Sequence, residues 1–158
     1  MKKISINILF VFVGAILGIA GVRRKMKAKV TCEKKMSEKH LALYLMMNQW
    51  VKVKQEGKKL SSYFEKRNYH EIAVYGMSFA GKTLVDELEG SGIKIKYGID
   101  KKADNIYAEF EVVTPDEKLE EVDAVVVTAI QFFSEIEEKL SKKIKCPIIS
   151  LENVLYEV

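Results

Sequence analysis

Residues 71–100 read EIAVYGMSFAGKTLVDELEGSGIKIKYGID. Glu71 to Tyr75 is a short apolar run of strand length, and Gly76 ends it. After the loop GMSFAG, the stretch from Ala80 to Glu89 has helical spacing, and Gly90-Ser91-Gly92 stops it. Residues 93–99 (IKIKYGI) form a second strand ending at Asp100. A strand, a helix and a strand joined this tightly make a parallel unit, because the helix carries the chain back to the edge where the first strand began.

Downstream the alternation continues. A short strand is expected at 109–113, then a turn at Thr114-Pro115 and a brief helix to about Glu121. Asp123 to Thr128 (DAVVVT) is the most apolar strand and fits a central position buried on both faces. A helix over 134–143, a last strand at 147–151 and a terminal turn or helix complete the chain. The predicted fold class is α/β, a small parallel sheet in the order 3-2-1-4-5.

Upstream, 37–55 has a helical pattern. Leu41, Tyr44, Leu45, Asn48, Val51 and Gln55 fall near one stripe, and Leu43, Met46, Met47 and Trp50 widen it. Gly57 interrupts, and Leu60, Tyr63 and Phe64 mark a second short helix that fails near Asn68. The leading expectation for this segment (37–64) is packing onto the domain that follows, since an isolated helix pair has to bury its apolar face. The alternative is an interface with a second copy, as a homodimer, or with another membrane protein, for which Met and Trp are well suited.

Ile4 to Val22 (ISINILFVFVGAILGIAGV) has no charged residue, and as a helix it would span roughly 28 Å, close to bilayer thickness. The rival reading is a cleaved signal peptide, but Arg23, Arg24, Lys25, Lys27 and Lys29 follow at once, and a dense cationic flank retains a helix. Five cations after the run against Lys2 and Lys3 before it place the rest of the chain on the cytoplasmic side. Gly14-xxx-Gly18 matches a helix-packing pattern, but glycine is common in membrane helices anyway. The expected division is an anchor with its basic flank (1–30), a helical segment (31–70) and a sheet domain (71–158).

The charge distribution narrows the function classes. The chain has 26 Lys/Arg and 22 Asp/Glu, a net +4. Residues 1–35 hold nine cations and one Glu, so the remainder is net −4 and does not offer the basic face of a nucleic-acid binder. Cys32 and Cys146 are too few for a disulfide framework, and His40 and His70 have no metal-ligand partners at suitable spacing. No paired catalytic set emerges: there is no G-x-S-x-G elbow and no HExxH. Tyr97 and Lys101 have Y-x-x-x-K spacing but straddle a strand end, so they would not share a helical face. The acidic stretch 116–123 is expected to be a solvated helix face.

The loop after the first strand matches two phosphate-binding patterns. One is G-x-G-x-x-G, with Gly76 and Gly81 in place, Ser78 at the middle glycine, and Asp100 positioned to meet ribose hydroxyls. The other is G-x-x-x-x-G-K-[ST], completed by Lys82 and Thr83. A P-loop NTPase also needs an acid after an apolar strand to hold magnesium, and DAVVVTA supplies none. The expected ligand contacts are Gly76, Met77, Ser78, Phe79, Ala80 and Gly81 for phosphate, Asp100 for ribose and Thr128 at the pocket's border.

With VYGMSFAGKTLVDELEGSGIKIKYGIDKKAD, VDAVVVTA and CPIISLENVLYEV, residues 71–158 resemble small Rossmann-like domains associated with bacterial cell-surface glycan biosynthesis. Those domains open with a pattern like IYGxGxxGKxLxxEL and continue to IDK; Ser78 departs from it. The resemblance implies a site for a nucleotide, nucleotide-sugar or NAD(P), in an accessory module beside a membrane glycan-assembly system. It carries over Gly76, Gly81 and Asp100. A complete enzyme is not expected, because 88 residues make little more than one βαβαβ half and no substrate domain follows.

Overall fold

The structure is a computed structural model that describes the backbone of residues 2–158 and the side chains of Arg23, residues 25–27 and residues 29–158. Two compact units divide it, Met1–Leu41 and Ala42–Val158. The first is the leading part of α1 (Lys2–Gln55). The side chains of the apolar run at 4–22, expected to cross a membrane, lie outside the described residues. Among the described residues no helix is long and apolar enough to do so.

The second unit holds the last turns of α1, then α2 (Ser61–Glu65), β1 (Glu71–Tyr75), α3 (Phe79–Leu88), β2 (Lys94–Ile99), β3 (Val112–Val113), β4 (Ala124–Val127), α4 (Phe133–Leu140), β5 (Ile148–Ser150) and α5 (Leu151–Glu157). The five strands form one sheet in the order β3-β2-β1-β4-β5, and all four pairings are parallel. This is the predicted order. It follows from the crossovers: α3 returns the chain to one side of β1, and α4 returns it beyond β4 on the other.

Alternation along β1 assigns the two faces. Ile72 and Val74 point into a core with Leu84 and Leu88 of α3, Leu151 and Leu155 of α5, and Phe64 of α2. Ala73 and Tyr75 point into the other, with Ile136 and Leu140 of α4. All four residues of β4 are buried, as a central strand covered on both faces requires.

The α3 core is completed from outside the sheet region. Met46, Trp50 and Val53 of α1 are buried in it, and Gln49 Nε2 donates to the Leu155 carbonyl oxygen at 3.2 Å. Residues 42–70 therefore fold with the sheet instead of forming a separate segment, and the compact unit begins at Ala42. Of the widening residues of the predicted stripe, Met46 and Trp50 are buried and Leu43 and Met47 partly so, whereas Leu41, Tyr44, Leu45 and Val51 are exposed. Asn68, at φ 56°, ends the α2 region, a conformation Asn tolerates better than most residues.

Two expectations fail between β2 and β4. The strand foreseen at 109–113 is only Val112–Val113, because Phe110 turns onto the α3-side core instead of staying in the sheet. The brief helix before Glu121 does not form. Its start signal is real, since the Thr114 N–H donates to Glu117 Oε1 at 2.7 Å as in half a capping box. Side chains from elsewhere then take the carbonyls downstream: Tyr97 Oη donates to Glu120 O at 2.7 Å and Lys96 Nζ to Glu121 O at 3.0 Å. These bonds tie the end of the segment to β2.

Candidate functional site

The chain leaves β1 at Tyr75 and enters α3 at Phe79, so only Gly76, Met77 and Ser78 make the turn. Gly76 has φ +95°, a conformation that L side chains rarely adopt. Its N–H donates to Ile99 O at 2.8 Å, which keeps the turn in register with the end of β2. Met77 is buried, and its thioether lies against Gly98, where a Cβ would stand 3.1 Å from Met77 Cγ.

Gly81 sets how close α3 comes. A Cβ there would fall on the carbonyl oxygen of Gly76, so only glycine lets the helix start directly over the strand end. Thr128, buried at the end of β4, closes the other side. Its hydroxyl donates to Gly76 O at 2.6 Å, with Tyr75 O as a second acceptor at 3.2 Å, and its N–H donates to Tyr75 O at 2.9 Å.

The first turn of α3 faces the gap thus made. Lys82 N–H is the first to reach an intrahelical acceptor, Ser78 O at 2.9 Å, so the N–H groups of Phe79, Ala80 and Gly81 have none. Ser78 occupies the N-cap in extended backbone, and its hydroxyl caps nothing. Ala80 is buried against the core, whereas the Phe79 ring is 87% exposed. These amides lie at the positive end of the helix dipole, where negative charge is favoured.

Asp100 already serves the protein. The Met77 N–H donates to Asp100 Oδ2 at 2.9 Å, and the Lys102 N–H donates to Oδ1 at 3.0 Å. The carboxylate thus ties the turn to the end of β2 and keeps further lone pairs for a hydroxyl. All eight residues singled out from the sequence gather at the carboxyl ends of β1, β2 and β4. Between β1 and β4 the following helices leave toward opposite faces, and this is the switch point where open α/β sheets hold ligands.

The P-loop string is not matched by P-loop geometry. That motif needs its glycine-rich stretch to wrap around phosphate before the helix begins at the lysine. Here α3 has already started at Phe79, and Thr83 Oγ1 donates back to Phe79 O at 2.9 Å. Thr83 is thereby engaged in a bond within its own helix.

One feature lies outside the residues singled out from the sequence. The connection from β2 to β3 contains a 3₁₀ turn at Ala103–Asn105 and no α-helix. A cavity of about 450 Å³ therefore opens beside α3, floored by Met77, Val85, Ile93 and Ile95 and walled by Phe110 and Tyr107. The lack of helical periodicity at 100–111 was the available signal. On the α4 face, a hollow of about 210 Å³ beside Tyr75 is ringed by three lysines. These are occupied: Lys139 by Glu135 at 2.6 Å, Lys142 by Glu138 at 3.0 Å, and Lys143 by the Pro115 carbonyl at 2.6 Å. Burial holds the Tyr75 phenol above its ordinary pKa, and the nearby Lys139 opposes the shift. No protein-family model, no curated protein and no solved structure matches this chain.

Proposed function

We propose that this chain is a membrane-anchored, cytoplasm-facing module that binds a nucleotide or nucleotide-sugar at the switch point between β1 and β4. The observation that carries this reading is the close approach of Gly81 to the Gly76 carbonyl, which draws the open amides of the α3 first turn over the end of β1. Phosphate would sit on those amides and ribose hydroxyls on the free lone pairs of Asp100. Exposed rings, Phe79 at 87% and Phe132 at 51%, stand on the two connections that leave the switch point and would stack on a base. One mononucleotide suits this small sheet better than a whole NAD(P), which uses two βαβαβ halves. The uncharged run at 4–22 and its cationic flank support the anchor and its orientation. The resemblance of the loop and of the second strand supports a place beside membrane glycan assembly.

The test is calorimetry of the full chain in detergent micelles against UDP-sugars, NAD(P) and ATP. Wild type should bind at least one of them below millimolar concentration. Ser78→Asp should weaken that binding tenfold or more, by placing a negative charge at the phosphate seat. It should leave the melting temperature equal or higher, because Asp is a good N-cap where Ser78 now caps nothing. No binding by wild type at millimolar concentration removes the proposal.

A second reading is favoured by the bonds from Met77 and Lys102 that already engage Asp100: a protein-interaction module that keeps the fold without a ligand. A stable partner recovered from solubilised membranes, with no nucleotide bound by the chain, would support it instead.

A further inference from the structure

We infer that the cavity beside α3 binds a small organic cation, an ammonium group carried on an apolar body. The cavity follows from the topology. Parallel strands such as β2 and β3 need a crossover, and its helix ordinarily covers one face of the sheet. Here the connection holds only the 3₁₀ turn at Ala103–Asn105, so the part of β2 beside α3 lacks that cover. The space left is about 450 Å³, within the roughly 300–1,000 Å³ of sites for a single small molecule.

The lining selects the ligand's body. Met77, Val85, Ile93 and Ile95 offer no polar group beyond a thioether, so what lies on this floor has to be apolar. Tyr107 borders the same cavity with its surface 98% exposed. The fold gains nothing from a ring left that bare, whereas a guest in the cavity gives the ring an apolar surface to cover. Phe110, packed against the α3-side core, supplies a second ring.

The rim selects the ligand's charge. Asp86, Glu89 and Glu109 line the cavity against one cation, Lys82, which leaves a balance of −2. Elsewhere on the surface the carboxylates of Glu71, Glu87, Glu135 and Glu138 are each paired with a lysine. Among the described residues, Asp86, Glu89 and Glu109 have no such partner. An anion would meet this rim as a like charge, and a neutral guest would leave it unanswered. An ammonium answers it, and the faces of Tyr107 and Phe110 attract the same charge. This inference stands apart from the nucleotide reading, since its ligand has the opposite sign and only Met77 among these residues belongs to the loop at 76–81.

The test is calorimetry of the full chain in neutral detergent micelles, with chain-free micelles as the blank and benzyltrimethylammonium as the probe. Wild type should bind it below millimolar concentration, at least tenfold more tightly than benzyl alcohol or benzenesulfonate, and added salt should weaken the binding. Asp86→Asn, Glu89→Gln and Glu109→Gln together should weaken it at least tenfold with unchanged circular dichroism, because all three residues are exposed. Tyr107→Ala should weaken it at least threefold at an unchanged melting temperature, since the bare ring supports nothing in the fold. Ser78→Asp should leave it within twofold, which separates this site from the phosphate seat. No binding of the probe at millimolar concentration overturns the inference. So does equal affinity for the neutral alcohol, or full affinity in the triple variant or in Tyr107→Ala.

Discussion

A methyl group at position 81 separates two opposing effects. Gly to Ala within a helix ordinarily stabilises by about 1 kcal/mol. Here the new Cβ meets the Gly76 carbonyl oxygen, a backbone atom held in place by Thr128. Forcing extra volume into such a site costs about 1–3 kcal/mol, so the steric term wins. Gly81→Ala should therefore lower the urea midpoint, and with it any affinity for phosphate, whereas Gly92→Ala, with nothing within 4 Å of its Cβ, should leave the midpoint nearly unchanged. A Gly81→Ala protein as stable as wild type would show that α3 does not depend on this approach. The requirement for glycine at 76 and 81 was readable in the loop motif; the engagement of Asp100 with Met77 and Lys102 was not, because bonds to backbone amides leave no pattern in side-chain identity.

At the scale of elements, the start of β1 depends on a carboxylate three strands later in the chain. Asp123, just before β4, accepts from the His70 N–H at 2.7 Å and the Glu71 N–H at 2.8 Å, both on Oδ2. These backbone bonds, Glu71's foremost, hold its pKa below the ordinary value. A carboxylate depressed in the folded state stabilises fully above its unfolded pKa of about 3.9, and that contribution disappears as pH falls through the folded value. Asp123→Asn keeps an acceptor oxygen but loses the charge. With the carboxylate exposed and screened by water, it should destabilise by at most about 1 kcal/mol at pH 7, and the difference from wild type should shrink as pH falls through the folded value. Urea unfolding at pH 7, 5 and 3 measures this; a constant difference would mean that the charge contributes nothing. At the opposite end of the scale, burial foremost pushes the Tyr97 phenol up to about 12. That neutral phenol adds stability below the unfolded pKa of about 10, which is lost as pH rises through the folded value.

For the whole molecule, the sheet domain is incomplete without the end of α1. Trp50 lies twenty-one residues before β1 yet is 3% exposed, packed in the same core as Ile72 and Leu84. Trp50→Ala should cost about 3–5 kcal/mol, as a central core residue would. Val51→Ala, one residue further on, should change stability by no more than about 0.5 kcal/mol. Thermal unfolding of the two variants checks the contrast, and similar losses would place both residues on the domain side.

The sequence by itself determined the strand order, the ends of the first βαβ unit and the glycine-dependent turn, because each rests on local signals: short β-branched runs, helical spacing and glycine at fixed offsets. It also contained both apolar faces of α1. Which of them the domain buries was decided only by tertiary packing, because adjacent side chains on a helix diverge by about 100° and both stripes carry large apolar residues. The same holds for the missing helix before Glu121 and the cavity beside α3. In the first, the chain is tied to β2 by bonds from Tyr97 and Lys96, contacts between distant residues that local helix signals do not encode. In the second, the volume exists because the crossover between β2 and β3 has no α-helix to fill it.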